Sequence, residues 1–233
     1  MSRIFITGDL HGHHDIAKLT SSNFNQGREL GKSDYVIIAG DFGLFFNNVQ
    51  TDEEKHWLEW LENKSWTTLF LDGNHDNPNL LNNLPQKEMF GGQVGIASNS
   101  IFHLRRGNIY TIANKTFFVF GGAYSIDKQH RTEGIDWWAD EEANYSEMKL
   151  GIDNLEKVNW KVDYVLTHET TTSVSAILHS HHYQYRNSSR TEKYLDEIIP
   201  KIEFKHHYFG HHHMDQTVFN NHTCLYKKIK EVK

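Results

Sequence analysis

The sequence predicts an α/β protein in which helices flank a mixed pair of β-sheets. In the first half, short apolar runs alternate with longer segments, which is typical of crossover units around a largely parallel sheet. In the middle, β-rich runs follow one another with only short turns between them, which is typical of antiparallel neighbours. Helical patterns return in the second half, so we expect the helices to lie outside the sheets.

Three apolar runs in the first half are predicted strands, over residues 4–7, 35–39 and 69–71. A helix is predicted over 52–63, between the second and third of these strands. Thr51 and Glu54 have the spacing of a capping box at its start. One face of this helix is apolar and contains Trp57, Leu58 and Leu61. The order strand, helix, strand predicts that the flanking strands run parallel.

The middle of the chain contains three further strand-like runs, which we predict to be antiparallel neighbours: 101–104, 108–112 and 116–120. The second half then alternates helices and strands. We predict helices over 140–157 and 191–199, and strands over 162–166, 207–209, 217–219 and 223–226. No internal repeat and no low-complexity linker divides the chain, so residues 1–233 are interpreted as a single domain.

Composition restricts the function classes. The chain has 233 residues, 38% hydrophobic content and a formal net charge of -6, with its lysines and arginines spread out. A broad basic surface for duplex nucleic acid is therefore not expected. Cys224 is the only cysteine, which excludes an internal disulfide and favours a reducing compartment. No run approaches the length of a membrane span, so we expect a cytoplasmic protein with no membrane partner.

Five apolar runs each end in a small-residue turn that carries His, Asp, Asn or Glu. These turns read GDLHG from Gly8, GDFG from Gly40, GNHD from Gly73, THE from Thr167 and GHHH from Gly210. Any one of them alone would be an ordinary turn or helix cap. Because open α/β sheets bind ligands beyond the carboxyl ends of their strands, the set predicts a shared site at one sheet edge. A preceding glycine lets the chain turn sharply there.

These residue types suit a pair of divalent metal ions. Two ions roughly 3.5–4 Å apart need a bridging anion and several fixed donors. Aspartate can provide the bridge, and asparagine provides a neutral oxygen. Histidine nitrogen suits Mn, Fe, Zn or Ni better than Mg or Ca. The sequence therefore predicts two divalent ions as cofactors, and manganese is the favoured metal.

The ordered set of turns resembles the calcineurin-like metallophosphoesterases. Their pattern is GDxH, GD, GNH[DE], a histidine after a strand, and GHxH, and every block occurs here in order from Gly8 to His213. The resemblance implies a two-sheet mixed β-sandwich flanked by helices. It also implies hydrolysis of a phosphate ester, in which a hydroxide held between two metal ions attacks phosphorus.

The resemblance also implies roles for individual residues. It gives seven metal ligands: Asp9, His11 and His213 for one ion, Asn74, His168 and His211 for the other, and Asp41 as a bridge between them. His75 is expected beside the leaving group, and Asp76 is expected to orient the His75 imidazole. His212 is left out, because side chains alternate along an extended segment.

Several other polar residues have plainer interpretations. His179, His181, His182, His206 and His207 are interpreted mostly as surface histidines. His13, His14 and Asp15 are interpreted as the polar entrance of a helix. Glu169 either contacts a metal through water or is exposed to solvent.

The segment 121–142 is the most distinctive part of the sequence. Arg131 is a candidate to clamp a second phosphate oxygen, since a guanidinium matches it with two hydrogen bonds. Of Trp137 and Trp138, we expect one to stack on a base or close a pocket and the other to cover the sheet. Trp137 is the candidate for substrate binding. The polar and aromatic stretch 178–190 is expected to form a loop over the same opening.

Our functional hypothesis is a phosphoesterase that favours a nucleotide-like or other small phosphodiester. A phosphomonoesterase, including a protein phosphatase, is the alternative. A protein Ser/Thr phosphatase typically continues the second turn as GDxVDRG, whereas Phe42 and Gly43 follow Asp41 here. DNA cleavage is less favoured because no basic strip is available to follow a strand. A non-catalytic metal-binding scaffold of the same fold, or a histidine-rich ion store, is the rival from another class.

Overall fold

The computed structural model describes residues 2–179 and 188–233, in which two mixed β-sheets pack against each other. In chain order the strands are β1 (Ile4–Thr7), β2 (Tyr35–Ala39), β3 (Thr67–Leu71), β4 (Gln86–Met89), β5 (Gly92–Ile96), β6 (Ile101–Leu104), β7 (Asn108–Ile112), β8 (Lys115–Phe120), β9 (Tyr164–Thr167), β10 (His206–Phe209), β11 (Gln216–Val218), β12 (His222–Cys224) and β13 (Lys230–Glu231). The predicted α/β sandwich is confirmed.

The α-helices flank these sheets. They are α1 (Asp52–Glu62), α2 (Pro78–Asn82), α3 (Tyr145–Lys157), α4 (Thr172–Leu178) and α5 (Arg190–Ile198). The predicted capping box of Thr51 and Glu54 is present at the start of α1. The α3 helix begins later than predicted, because Asn144 caps it through a hydrogen bond from the Glu147 amide. Among the described helices, none has the length and apolar character needed to cross a membrane.

Both sheets have parallel centres and antiparallel edges. The first sheet has the strand order β13-β1-β2-β3-β6-β5-β4, and the second has the order β11-β12-β10-β9-β8-β7. Strands β1, β2, β3 and β6 run parallel in the first sheet, and β8, β9, β10 and β12 run parallel in the second. The loops that follow β1, β2 and β3 therefore leave the first sheet at the same edge, as those after β9 and β10 do in the second.

The prediction of three antiparallel neighbours in the middle of the chain is partly wrong. Strands β7 and β8 do form a hairpin, with Ala113 and Asn114 at positive φ in its turn. Strand β6 instead belongs to the other sheet, parallel to β3 and antiparallel to β5. The chain changes sheets between β6 and β7, where Arg106 is buried and bonded to Asp72 rather than exposed in a turn.

Alternating side chains divide the core into layers. Ile4 and Ile6 of β1 join the apolar cluster between the two sheets, together with residues such as Phe117 of the second sheet. Phe5, from the same strand, packs on the outer layer with Leu61 of α1. Burying one such side chain stabilises the fold by roughly 1.5–3 kcal/mol. Because both faces are covered, the strand ends are held rigidly.

Candidate metal centre

Five loops after parallel strands meet at the carboxyl edge of the sheets, and hydrogen bonds join them. The His11 amide donates to the Asp41 carbonyl oxygen over 2.8 Å. The His75 amide donates to Asp41 Oδ1 over 2.8 Å. The His211 amide donates to Asp9 Oδ1 over 2.9 Å, which ties the last loop to the first. The shared edge expected from the sequence is therefore present.

Three predicted ligands, Asp9, His11 and His213, form what we call the outer group. Together with Asp41, each of them offers a donor atom, and these atoms all lie within 4.8 Å of one another. Asp9 is fully buried, and its Oδ2 has no hydrogen-bond partner among the described residues. A buried carboxylate oxygen without a partner is unfavourable. A cation held by these residues would satisfy it, so the outer group fits a metal ion.

The inner group consists of Asn74, His168 and His211. The Nε2 atom of His168 lies 3.3 Å from Asn74 Oδ1. The imidazole centroids of His168 and His211 are 5.1 Å apart. The Nδ1 atom of His168 lies 2.9 Å from the carbonyl oxygen of Ala39, and this contact fixes the ring. The Asn74 amide oxygen and the His168 imidazole are therefore in contact, with the His211 ring beside them, and coordination of an ion by these three residues stays a prediction.

Asp41 lies between the two groups. Its Oδ2 is 3.2 Å from His11 Nε2, and its Oδ1 is 3.3 Å from His168 Nε2. One carboxylate oxygen therefore faces each group. This is the geometry that a bridging ligand between two cations requires.

The backbone is strained at these loops. Positive φ angles occur at five of the seven predicted ligands: Asp9 (29°), His11 (45°), Asp41 (47°), His211 (65°) and His213 (51°). Residues with a Cβ rarely adopt this region. Such strain costs of order 1–3 kcal/mol per residue and clusters at functional sites. The fold therefore holds these side chains in position at the expense of local backbone stability.

Two glycines show how the loops fit together. Gly40 has a φ of 89°, and a Cβ there would overlap the His168 imidazole. A Cβ on Gly73 would overlap the Asp41 carboxylate, although its φ lies outside the left-handed region. Glycine is thus required at position 40 by the expected sharp turn, which has a positive φ. At position 73 glycine is required because the loop that carries Asp41 approaches the backbone closely.

Buried carboxylates give the site a strong negative field. Burial raises the pKa of Asp9 to about 6, and the neighbouring charge of Asp41 adds to this effect. Burial alone would lower the pKa of His168, yet the charge and hydrogen bond of Asp41 raise it to about 10. The pKa of His11 is raised to about 9 by Asp41 in the same way, against the effect of burial. The carboxylates thus favour protonation of His168 and His11, whereas burial lowers the pKa of His211 and His213. The same carboxylates would attract a divalent cation.

Asp15 supports the outer group and was missed as a site residue. Its Oδ2 lies 3.0 Å from His11 Nδ1, so it fixes the orientation of that ring. The Tyr226 hydroxyl donates to the same carboxylate over 3.2 Å, and Lys227 forms an ion pair with it. The spacing of four residues between His11 and Asp15 is a signal, but it is too common to identify the contact alone.

A hydrogen-bonded relay orients Asn74 in the inner group. The Ser125 hydroxyl donates to Glu141 Oε2 over 2.7 Å, and the Ser125 amide donates to Glu141 Oε1 over 2.7 Å. Because that hydroxyl proton is committed to the carboxylate, Ser125 Oγ accepts a hydrogen bond from Asn74 Nδ2, at 3.2 Å. The Asn74 amide oxygen is therefore left to face His168. No sequence pattern indicated this relay.

Asp76 is bonded to backbone amides. Its Oδ2 accepts hydrogen bonds from the Phe42 amide (3.0 Å) and the Gly73 amide (2.9 Å), and its Oδ1 accepts one from the Gly43 amide (2.8 Å). Burial raises its pKa to about 7. These contacts join the second and third loops. Orientation of the His75 ring, the role expected for Asp76, is not among the contacts found in the described residues.

His75 lies at the open side of the site. Its ring stacks on Phe46 with centroids 6.0 Å apart, and the His11 ring lies edge-on at 5.3 Å. The Arg131 Nη2 atom is 3.4 Å from His75 Nε2, and Arg131 also forms an ion pair with Asp127. Burial lowers the pKa of His75, and the positive charge of Arg131 lowers it further. The structure therefore brings Arg131 to the site, as predicted.

The two tryptophans of the segment 121–142 differ. Trp138 is buried and packs edge-on against Phe46, at 5.1 Å. Trp137 is half-buried, with Lys128 Nζ 5.0 Å from its ring centroid. Trp138 thus has the packing role, while substrate binding by Trp137 stays a prediction. Residues 180–187 of the expected loop 178–190 lie outside the described residues.

The exposed alternative for Glu169 and the surface interpretation of His207 are wrong, while contact of Glu169 with a metal through water stays a prediction. Glu169 is fully buried rather than exposed, with His212 Nε2 at 3.0 Å and His211 Nε2 at 3.5 Å. Burial opposes its ionisation, but the charges of these two histidines lower its pKa overall. His207 is also fully buried rather than on the surface, and its Nε2 lies 2.7 Å from Thr167 Oγ1. Glu169 follows β9 and His207 lies within β10, and both strands are central in the second sheet, which the polarity of the two residues did not indicate.

Comparison with known proteins gives one family match. A family model described as calcineurin-like phosphoesterase matches residues 2–215. The matched span includes all five loops and all seven predicted metal ligands. No curated protein matches the chain.

Proposed function

The chain belongs to the calcineurin-like phosphoesterase family, and from this membership we propose that it hydrolyses phosphate esters with two divalent metal ions. One ion would be held by the outer group and the other by the inner group, with Asp41 shared. Carboxylate, imidazole and amide donors suit manganese, iron, zinc or nickel, and we favour manganese.

The observation that carries this proposal is the position of Asp41. Its two oxygens lie 3.2 Å from a histidine of the outer group and 3.3 Å from a histidine of the inner group. A site for one ion would need no carboxylate turned toward two separate donor sets. When bound, the metal ions would supply positive charge for the phosphate oxygens and acidify a water molecule.

His75 and Arg131 would act on the substrate. His75 lies beside the outer group, where it would donate a proton to the leaving oxygen or stabilise its charge. Arg131, 3.4 Å from His75, would bind a further phosphate oxygen and release part of its contact with Asp127. Asp41 Oδ1 also accepts a hydrogen bond from the His75 amide, and this bond fixes His75 relative to the metal ligands.

Within this reaction class, we favour a nucleotide-like or other small phosphodiester as substrate. Two aromatic residues support this preference: Phe46, which stacks on His75, and Trp137, which is half-buried in the segment 121–142. A phosphomonoesterase is the alternative for the same site. A non-catalytic scaffold is disfavoured, because every expected ligand and His75 are retained.

The test starts from chelator-treated protein reloaded with Mn, Fe, Zn, Ni or Mg. We expect metal-dependent hydrolysis of bis(p-nitrophenyl) phosphate, with a higher kcat/KM than for p-nitrophenyl phosphate. A higher kcat/KM for the monoester would assign the protein as a phosphomonoesterase. Two bound metal ions with no hydrolysis of either ester would support the scaffold instead.

A further inference from the structure

A groove with a volume of about 590 Å³ opens beside the outer group. From its lining we propose that it binds the leaving group of the substrate, and that this leaving group is an uncharged nucleoside. This inference rests on the proposed function and adds the substrate class to it. The volume is within the range of roughly 300–1,000 Å³ that small-molecule sites occupy, so it exceeds the needs of a phosphate alone.

The groove continues from the reacting centre. His11, His75 and His213 line its inner end. Because His75 is the residue expected at the leaving oxygen, the group attached to that oxygen would extend into the groove. The groove therefore has the position of a leaving-group subsite rather than of a separate surface pocket.

Two walls enclose the groove. One wall comes from the loop after β1, including His13 and His14, and the other comes from Phe46 and the start of α1, including Glu53 and Trp57. The rings of His13 and His14 are 3.8 Å apart. His13 Nδ1 lies 3.2 Å from Glu53 Oε2, and this contact joins the two walls.

Aromatic faces line much of the groove. Phe46 is stacked on His75, with an interplanar angle of 30°, and Tyr226 is stacked on His213 with centroids 4.6 Å apart. Trp57, on the same wall as Phe46, is half-buried. Any nucleic-acid base can stack on aromatic side chains of this kind, because every base has a π-face. Asn47 and Thr51 add polar groups that could bond to the edge of a base.

The charge of the lining selects against a second phosphate. Among the described residues that line the groove there is no lysine or arginine, whereas Asp15, Glu53 and Glu54 are present. Phosphate groups are normally bound by cationic side chains or metal ions. Asp15 is paired with Lys227 and Glu54 caps the start of α1, so a leaving group that carried further phosphates would meet the exposed carboxylate of Glu53. No lysine or arginine among the described lining residues would bind those phosphates. A nucleoside fits this lining, and nucleoside polyphosphates and nucleic-acid strands do not.

The first experiment measures binding of adenosine, which carries no phosphate, to the manganese-loaded protein by calorimetry. We expect adenosine to bind and to inhibit hydrolysis of p-nitrophenyl phosphate competitively. Trp57→Ala should weaken adenosine binding about tenfold or more, because it removes one stacking face. Trp160→Ala is the matched control, since Trp160 is also half-buried but does not line the groove, and this variant should bind adenosine within about twofold of the wild-type affinity. Failure of adenosine to bind, or equal affinities in the two variants, would overturn the proposal.

The second experiment tests the charge of the lining. We expect kcat/KM for the diester adenylyl-(3′→5′)-adenosine, whose leaving group is uncharged adenosine, to exceed that for the same diester with a phosphate on its leaving adenosine by about tenfold or more. Glu53→Lys should reduce this ratio, and a wild-type preference for the phosphorylated diester would overturn the subsite. The results distinguish the two proposals. Hydrolysis of nitrophenyl esters without adenosine binding would contradict the subsite but not the proposed function. Adenosine binding that depends on Trp57, without hydrolysis of any ester, would contradict the proposed function but not the subsite.

Discussion

The outer and inner groups of the candidate metal centre differ in exposure. In the outer group, His213 is exposed and the His11 side chain is 15% exposed. In the inner group, the His168 side chain is fully buried, Asn74 is only 4% exposed and the His211 side chain is 13% exposed, so His213 accounts for most of the difference. The outer group also borders the groove. The comparison indicates that an ion in the outer group would exchange with ions in solution and contact the substrate, whereas an ion in the inner group would stay bound.

The two groups also differ in what holds their ligands. In the outer group, His11 lies against the carboxylate of Asp15, which makes the imidazole a stronger donor. In the inner group, His168 lies against the neutral carbonyl of Ala39, and Asn74 is held by Ser125. A carboxylate therefore lies beside one histidine of each group, Asp15 beside His11 and Glu169 beside His211. The groups differ in their oxygen ligand, because Asp9 is anionic and Asn74 is neutral, and this difference predicts a more acidic inner ion.

The largest effect is expected from Asp41→Asn, which removes the charge that both groups share. We expect the affinity for each ion to fall by more than about 100-fold. This exceeds the loss of about 10–100-fold that is typical when a residue supporting a metal ligand is replaced. Elemental analysis after dialysis and calorimetry with Mn²⁺ would measure this. Asp52→Asn is the control, because Asp52 is an exposed carboxylate at the start of α1 and is not one of the predicted ligands. Retention of one ion at wild-type affinity would mean that Asp41 belongs to one group only.

His75→Ala should separate catalysis from metal binding. Because His75 is expected to act at the leaving oxygen, we predict a fall in kcat of about 10²–10⁴-fold with unchanged metal content. Stopped assays with a nitrophenyl ester would measure it, beside His56→Ala as an exposed histidine outside the site. An unchanged rate would remove His75 from the reaction.

The contrast between the groups is tested most sharply by Asp15→Asn and Ser125→Ala. Asp15→Asn is expected to lower the affinity for the outer ion by about 10–100-fold, and Ser125→Ala to lower the affinity for the inner ion by the same factor. Each variant should bind the other ion with nearly wild-type affinity. Two-site calorimetric titrations would resolve the two ions. If either variant weakens both ions equally, the division into outer and inner groups is incorrect.

Asp76→Asn should have the smallest effect and should not distinguish the groups. Asp76 joins two loops through three backbone amides, so we expect the free energy of unfolding to fall by about 1–3 kcal/mol. Chemical denaturation would measure this. Asp163→Asn is the matched control, because Asp163 also accepts a backbone amide, that of Thr116, away from the site. Stability equal to wild type would show that Asp76 does not hold the loops.

Much of the fold and the position of the site could be predicted from the sequence. Apolar runs that are buried on both faces gave β1, β2 and most of β3, and the turn after each of them carries a residue of the site. These features are local, since a strand and the turn that follows it are adjacent in the chain. The ordered turns also carried the family resemblance, which the match over residues 2–215 confirms.

What could not be predicted depends on contacts between distant segments. Ser125 and Glu141 lie in a stretch without a regular period, and their relay to Asn74 exists only once that stretch folds over β3. Burial of Glu169 and His207 likewise follows from packing of both faces of the second sheet. The position of β6 depends on the chain crossing between sheets, which short β-rich runs do not reveal.

The most direct test of the account is anomalous diffraction at the manganese absorption edge from crystals grown with Mn²⁺. We predict two peaks roughly 3.5–4 Å apart, with Asp41 in contact with both. One should lie among Asp9, His11 and His213, and the other among Asn74, His168 and His211. A single peak, or peaks that leave Asp41 without a metal contact, would contradict the shared two-ion centre.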